Sequence, residues 1–228
     1  MRNFVTDRGP SLALVVLVML VVVLSQGAIA YTFSFGQLQG RLPIDAPGLA
    51  NYVGGARLGL MALMALLWGL GRRRALFNLV IVVNGIATLS LLVHTASLTA
   101  VLAGLSPRAV GSLLVDVVLM ALSNILTFSI WYWIIDPPGV EGGQREDEPW
   151  AFLFPQRGST LPHYEAWVPR YVDYLFVAFT TSFAFSPTDT LPLTRSAKML
   201  MLLQSAISVI TLTGIAGSAI NILASGGG

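Results

Sequence analysis

Three ionisable side chains in the long apolar stretches of this sequence could do chemistry: Asp116, His94 and Arg57. A carboxylate inside a bilayer is costly and often marks an ion or proton path, so Asp116 is a candidate functional residue. It also follows Arg108 by eight residues, which would place it near the membrane surface, hydrated or paired. Both interpretations stay open at this point, because the depth of the carboxylate decides its cost.

The polar residues near these three are typical of helix packing as well as of a binding site. Asn124 lies to one side of Asp116 on the same predicted helix. A lone histidine on an apolar helix, such as His94, is more often a hydrogen-bonded packing residue than a ligand. Arg57 could extend its charge to the membrane surface or pair with Asp116.

The sequence lacks the residue spacings of the common catalytic motifs. Neither His94 nor His163 has a glutamate at metal-ligand spacing, and HExxH, G-x-S-x-G and phosphate-loop patterns are absent. The absence of cysteine excludes disulfides, thiolate metal sites and a thiol nucleophile. The sequence therefore predicts neither an enzyme nor a metal site, and it indicates no cofactor.

The composition places the polar residues in a membrane. Hydrophobic residues make up 55% of the chain and charged residues 11%, and the mean hydropathy is +0.75. These values predict an all-α, multi-pass integral membrane protein of the cell inner membrane, with the lipid bilayer as its first partner. The basic residues lie mostly outside the apolar runs, so the net charge of +2 reflects topology, and no nucleic-acid partner is expected.

Five apolar runs have the roughly 20 residues that a spanning helix needs. They cover residues 11–33, 51–70, 75–105, 109–135 and 197–224. The first run also fits a cleavable signal peptide, because Arg2 and Arg8 precede it and small residues surround Ala28. Interfacial Tyr31 and Phe33 favour a retained helix. The first three runs define an N-terminal transmembrane region at residues 1–105.

The rest of the chain, residues 106–228, is predicted to form a second module. Its long connector, 136–170, begins with a solvated half and continues with aromatic residues expected at the membrane interface. Residues 171–185 are apolar for only about four turns, which is short of a span. This favours a re-entrant half-helix and loop at 171–191 before a last helix at 195–225. A full crossing, giving six spans, is the alternative.

The sequence FTTSFAFSPTDTLPLT at residues 179–194 resembles the pore loop of potassium channels, whose pattern is F-T-T-hydrophobic-T-T-V-G-Y-G-D-x-x-P-x-T. The matching residues are Phe179, Thr180, Thr181, Asp189, Pro192 and Thr194. The filter glycines are missing, and the corresponding residues are Ala184, Phe185, Ser186, Pro187 and Thr188. Pro187 has no N–H and fixes φ, so potassium selectivity is not expected.

A longer part of the chain, residues 109–224, resembles an uncharacterised bacterial membrane-protein family, a domain of unknown function. The resemblance rests on Phe154-Pro155, Tyr164, Asp173-Tyr174 and the sequence Ser-Pro-Thr-Asp that ends at Asp189. It implies the five-helix architecture with a half-helix before the last helix. It implies no activity.

The pore-loop resemblance also implies an oligomer, because one loop cannot enclose a conduit; by analogy we expect a homotetramer and monovalent cations. A polar stripe on the last helix would line the conduit or, alternatively, pack against neighbouring helices. It consists of Gln204, Ser208, Thr211 and Ser218. Asp189 would lie at the mouth of the loop, where it could brace the loop, cap the last helix or attract cations directly.

Two functions therefore compete at the sequence level, and an intramembrane enzyme, for which Asp116 and His94 would have to meet inside the bundle, ranks third. The first is a channel-like protein that conducts ions without potassium selectivity. The second is a non-conducting scaffold or sensor that keeps the channel-like fold and binds a partner through residues 150–167. The basic turn at Arg72, Arg73 and Arg74 indicates that the loop enters from the cytoplasm, which conflicts with the topology of potassium channels.

Overall fold

The computed structural model describes residues 9–29, 46–102, 110–136, 150–157, 159, 164, 167–184 and 189–225. Over these ranges the chain is mostly helical. Its helices are α1 (Gly9–Ile29), α2 (Ala46–Gly69), α3 (Arg73–Leu102), α4 (Val110–Ile135), α5 (Tyr171–Ala184) and α6 (Arg195–Ser225). Two short strands, β1 (Phe152–Leu153) and β2 (Leu191–Pro192), pair antiparallel, with Phe152 opposite Pro192.

Within the described ranges, four helices are long and apolar enough to cross a membrane, which is consistent with the predicted class of all-α membrane protein. The candidate spans are Leu12–Ile29, Arg73–Leu98, Val115–Ile135 and Arg195–Gly214. The second predicted span is helical in α2, and the part of α2 whose side chains are described, Gly55–Gly69, is apolar but covers less than a full span. A fifth span therefore stays a prediction.

A tight turn joins α2 to α3, as the short basic connector predicts. The amide of Gly71 donates to the carbonyl of Trp68, and the amide of Arg72 donates to that of Leu67. Together with the positive φ of 65° at Gly71, this pattern is a Schellman motif, which glycine adopts without steric cost. The motif reverses the chain, so α3 starts at the end of the bundle where α2 stops.

Helix α4 lies at the centre of the bundle and contacts α1, α3, α5 and α6. It runs antiparallel to α3, because Phe77 meets Trp133 at one end of the pair while Leu98 packs with Val117 and Met120 at the other. The start of α3 and the end of α4 therefore share one end of the bundle. We call it the basic end, since it carries the Arg72, Arg73 and Arg74 turn.

The starts of α5 and α6 also lie at the basic end. Asp136, which directly follows α4, accepts hydrogen bonds from the backbone amides of Ala151 and Phe152 and from the hydroxyl of Tyr174 in the first turn of α5. Strand β2, which precedes α6 by two residues, pairs with β1 at the same place. The connector thus gathers the end of α4 and the beginnings of both following helices.

Candidate functional site

A buried glutamine, Gln204 of α6, ties together the three helices of the predicted second module. Its Nε2 donates to the carbonyl of Ala178 and to the hydroxyl of Ser182, both at 2.7 Å and both on α5. Its Oε1 accepts a hydrogen bond from the hydroxyl of Tyr132 on α4. The side-chain amide of Gln204 therefore provides hydrogen-bond partners for polar groups of α4 and α5. Inside a membrane, water is not present to provide them.

These bonds show that α5 and α6 run in the same direction. Gln204 is nine residues from the start of α6, and Ala178 and Ser182 are seven and eleven residues from the start of α5. At 1.5 Å per residue, the bonded groups lie about 10–17 Å from the first residues of their helices. The two helices therefore proceed side by side from the basic end to a similar depth.

The polar stripe of α6 is turned towards α4 within the same chain. The Nδ2 of Asn124 donates to the hydroxyl of Ser208 at 2.9 Å and to the carbonyl of Gln204 at 3.2 Å. The hydroxyl of Thr211 donates to carbonyls of its own helix. Gln204, Ser208 and Thr211 are all buried. Such contacts are those of helix packing in membranes. The side chain of Ser218 lies outside the described residues.

A buried ion pair between Asp136 and Arg157 anchors the connector, and we call this cluster the Asp136 latch. The Nη2 of Arg157 lies 2.7 Å from Oδ2 of Asp136, and both side chains are almost fully enclosed. The same Oδ2 accepts the Tyr174 hydroxyl at 2.6 Å, while Oδ1 accepts the amide of Ala151 at 2.8 Å. The amide of Phe152 and the Nη1 of Arg157 also donate to Oδ1, so the carboxylate accepts five hydrogen bonds. These bonds compensate the cost of removing its charge from water.

Aromatic rings enclose the latch. The guanidinium of Arg157 lies 4.8 Å from the ring centre of Trp150 and 5.5 Å from that of Phe154, where cation–π attraction adds to the ion pair. Phe154 in turn packs edge-on against Tyr174 at 5.5 Å. The latch therefore fixes the first turn of α5 relative to the end of α4.

The latch corrects two expectations about the connector. Its first residue, Asp136, was expected in solvent but is fully buried, because Arg157 returns to neutralise it. Phe152 and Phe154, expected at the membrane interface, are buried inside the chain, where Phe152 packs 5.1 Å from Tyr132. Sequence reasoning missed Arg157. Its position among three aromatic residues was the available signal.

The residues of the predicted pore loop are only partly described. Thr180 is partly exposed and its hydroxyl donates to the carbonyl of Phe176, while Thr181 is buried beside the hydroxyl of Tyr132. Ala184 ends α5, and its side chain is outside the described residues, as are Phe185, Ser186, Pro187 and Thr188 altogether.

Asp189 and the N-terminus of α6 are described. Asp189 is exposed. The cap of α6 is a different residue, Thr194, whose hydroxyl oxygen accepts the amide hydrogen of Ala197 at 3.2 Å. Asp189 is therefore left for the other two roles proposed for it, bracing the loop or attracting cations at its mouth.

The candidate residues Asp116, His94 and Arg57 lie in the rest of the bundle. Asp116 is six residues from the start of α4 and is 2% exposed, so protein encloses it. His94 on α3 is also buried, and the Nη2 of Arg57 lies 3.4 Å from the carbonyl of Gln26 on α1. Among the described residues, no group of three or more histidine, cysteine or acidic side chains is placed to hold a metal.

No protein-family model, curated protein or solved structure matches the chain. The residues themselves are therefore the basis for a functional proposal.

Proposed function

We propose that the chain is a channel-like membrane protein in which α5 re-enters the bilayer from the basic end as a half-helix. The observation that supports this is the shared direction of α5 and α6, joined at equal depth by Gln204. The 14 residues of α5 extend about 21 Å, short of the roughly 30 Å hydrocarbon core. Six residues lie between Ala184 and Leu191, and the seven residue-to-residue steps of an extended chain cover about 23 Å, enough to return.

The direction of α5 favours cations at the tip of this half-helix. Its C-terminus points into the membrane, and the last four carbonyls of a helix have no partners within it. They carry the negative end of the helix dipole. Half-helix C-termini and unwound carbonyls coordinate Na⁺ or H⁺ in transporters. The proposed substrates are therefore monovalent cations, without the potassium selectivity that the missing filter glycines would provide.

A conduit of this kind needs several copies of the chain, and we propose a homo-oligomer, tetrameric by analogy with potassium channels. Gln204 and Ser208 bond to α4 and α5 of their own chain, and Thr211 is buried as well. In the assembly the loop at residues 185–189 would line the axis. The stripe on α6 would hold the half-helix in place instead of lining the conduit.

A second candidate function is a non-conducting scaffold with the same fold. The observation that favours it is that the polar stripe of α6 is hydrogen-bonded within its own chain. The stripe is then not free to line a conduit, and a conducting path would depend on the loop alone. Bulky Phe183 and Phe185 and rigid Pro187 would plug the axis in this case.

Ion flux into liposomes distinguishes the two functions. We expect the purified protein to pass Na⁺ and K⁺ at similar rates and Cl⁻ more slowly. Phe185→Ala, in the loop, should change the rate, whereas Leu58→Ala, at an exposed position of α2 outside the proposed pore module, should not. If the protein passes no ion under any gradient or voltage and Phe185→Ala opens no path, the scaffold replaces the channel.

A further inference from the structure

Three buried side chains between α3, α4 and α6 each have an oxygen atom that no other described residue hydrogen-bonds. The atoms are Oδ1 of Asn84, Oδ1 of Asn124 and Oγ1 of Thr127. Each of the three residues is 0% exposed. Buried polar groups are nearly always hydrogen-bonded, and these lie in candidate spans, where lipid offers no partner. The three oxygens therefore indicate a ligand.

The hydrogen bonds that the Nδ2 atoms of Asn84 and Asn124 donate fix the orientation of both side-chain amides. The Nδ2 of Asn84 donates to the carbonyl of Thr127 at 3.1 Å, and the Nδ2 of Asn124 donates to the carbonyl of Gln204 at 3.2 Å. A carbonyl only accepts hydrogen bonds, so neither amide can be turned to place its oxygen there. Each asparagine consequently presents an acceptor that its protein neighbours do not use.

The hydroxyl of Thr127 differs from those of several other threonines in the helices. Thr88, Thr95 and Thr211 each donate to the carbonyl four residues earlier, at 2.7–3.0 Å. This back-bonding is the usual way in which a helical threonine is satisfied without a neighbour. Thr127 does not make this bond, so its hydroxyl hydrogen is available to a ligand.

The three residues belong to one junction. Asn84 of α3 bonds to Thr127 itself, and Asn124 precedes Thr127 by one turn, about 60° away around α4. Asn124 also bonds to α6, and α3, α4 and α6 contact one another in pairs. The junction therefore presents two amide acceptors and one hydroxyl donor from two adjoining helices.

We propose that this junction binds one small uncharged molecule with the hydrogen-bonding capacity of water. The molecule donates to the two amide oxygens and accepts from the hydroxyl of Thr127. Internal waters typically make about three hydrogen bonds to buried polar groups, which is the number offered here. The three protein ligands are neutral, and a bare cation at this depth would need compensating charge. The site does not depend on the proposed conduction, because none of its three residues belongs to the proposed pore loop.

A pair of isosteric substitutions tests whether the hydroxyl of Thr127 is satisfied. If a ligand is bound, Thr127→Val leaves buried acceptors without a partner and should lower the thermal unfolding midpoint by about 2–10 °C. Thr211→Val removes only a back-bonded hydroxyl and should change the midpoint by less than about 2 °C. A midpoint of Thr127→Val that is unchanged or raised would overturn the proposal, since valine would then have removed an unpaired polar group.

The identity of the ligand is tested by varying the salt and by an experimental density map. We expect the same midpoint in sodium, potassium and choline chloride at equal ionic strength. A rise in sodium or potassium that is lost in Thr127→Val would show an ion site and overturn the uncharged ligand. A map that resolves ordered water should show one peak between the three oxygens, retained in Thr127→Ser and lost in Thr127→Val. A wild-type map without the peak would also overturn the proposal.

Discussion

Replacing Asp136 by asparagine breaks the Asp136 latch while keeping the shape of the side chain. Arg157, whose side chain is about as buried as that of Asp136, then faces an amide instead of a carboxylate. Its guanidinium keeps the carbonyl of Phe152 as an acceptor but loses its counter-charge. When one partner of a buried ion pair is removed, the other charge stays buried without compensation. This is the main cause of the large loss in stability.

The expected magnitude follows from the burial of the pair. Removing one partner of a buried ion pair costs about 3–5 kcal/mol. For a chain of 228 residues, each kcal/mol corresponds to a shift of about 2–4 °C in the unfolding midpoint. Asp136→Asn should therefore lower the midpoint by about 6–20 °C. Intrinsic fluorescence can follow this loss, because Trp150 lies against the guanidinium of Arg157.

The control makes the same chemical change at an exposed carboxylate. Asp189→Asn should shift the midpoint by less than about 2 °C, as surface substitutions usually do. Arg157→Met should destabilise about as much as Asp136→Asn, and the double variant should cost no more than the worse single one. A midpoint for Asp136→Asn within about 2 °C of wild type would refute the reasoning, as would additive losses in the double variant.

Three further predictions concern α6 and the loop before it. If the protein conducts, Asp189→Asn should lower the preference for cations over anions without dissociating the oligomer, because it removes a ring of negative charge; an unchanged reversal potential would contradict this. Thr194→Ala removes the cap of α6 and should lower the midpoint by about 2–4 °C, whereas no change would mean that Ala197 has another partner. Gln204→Leu removes the hydrogen-bond partner of three buried groups, namely the hydroxyl of Tyr132 and, on α5, one carbonyl and one hydroxyl. It should therefore lower the midpoint more than Thr194→Ala does. An equal or smaller loss would show that the glutamine does not hold α5 in place.

Hydropathy and local breaks predict the helices well because both act within a few residues. The apolar residues 171–185 indicate a short helix, and α5 runs from Tyr171 to Ala184. The turn after α2 is equally local, since Gly71 supplies the backbone angle that ends the helix. The face of a polar stripe is also predictable, because Gln204, Ser208 and Thr211 follow the helical period. Periodicity does not say which neighbour that face meets, and here it meets α4.

The Asp136 latch could not be predicted from local pattern. Asp136 precedes two prolines and a glycine-rich segment, which is typical of a solvated loop, and its partner Arg157 is 21 residues away. Only the fold brings the two charges together beneath aromatic rings. The junction at Asn84, Asn124 and Thr127 was missed for a similar reason. In sequence these residues are typical of helix packing as well as of a binding site, and their significance depends on which atoms their neighbours leave unpaired.

The re-entrant half-helix is the central claim, and the absence of cysteine allows a direct test of it. Single cysteines can be introduced as Arg170→Cys, just before α5, and Leu193→Cys, just before α6, both exposed positions. In oriented vesicles, a membrane-impermeant maleimide should label both from the same side, the side that also labels Arg73→Cys. Labelling of the first two from opposite sides would contradict the account, because α5 would then cross the membrane.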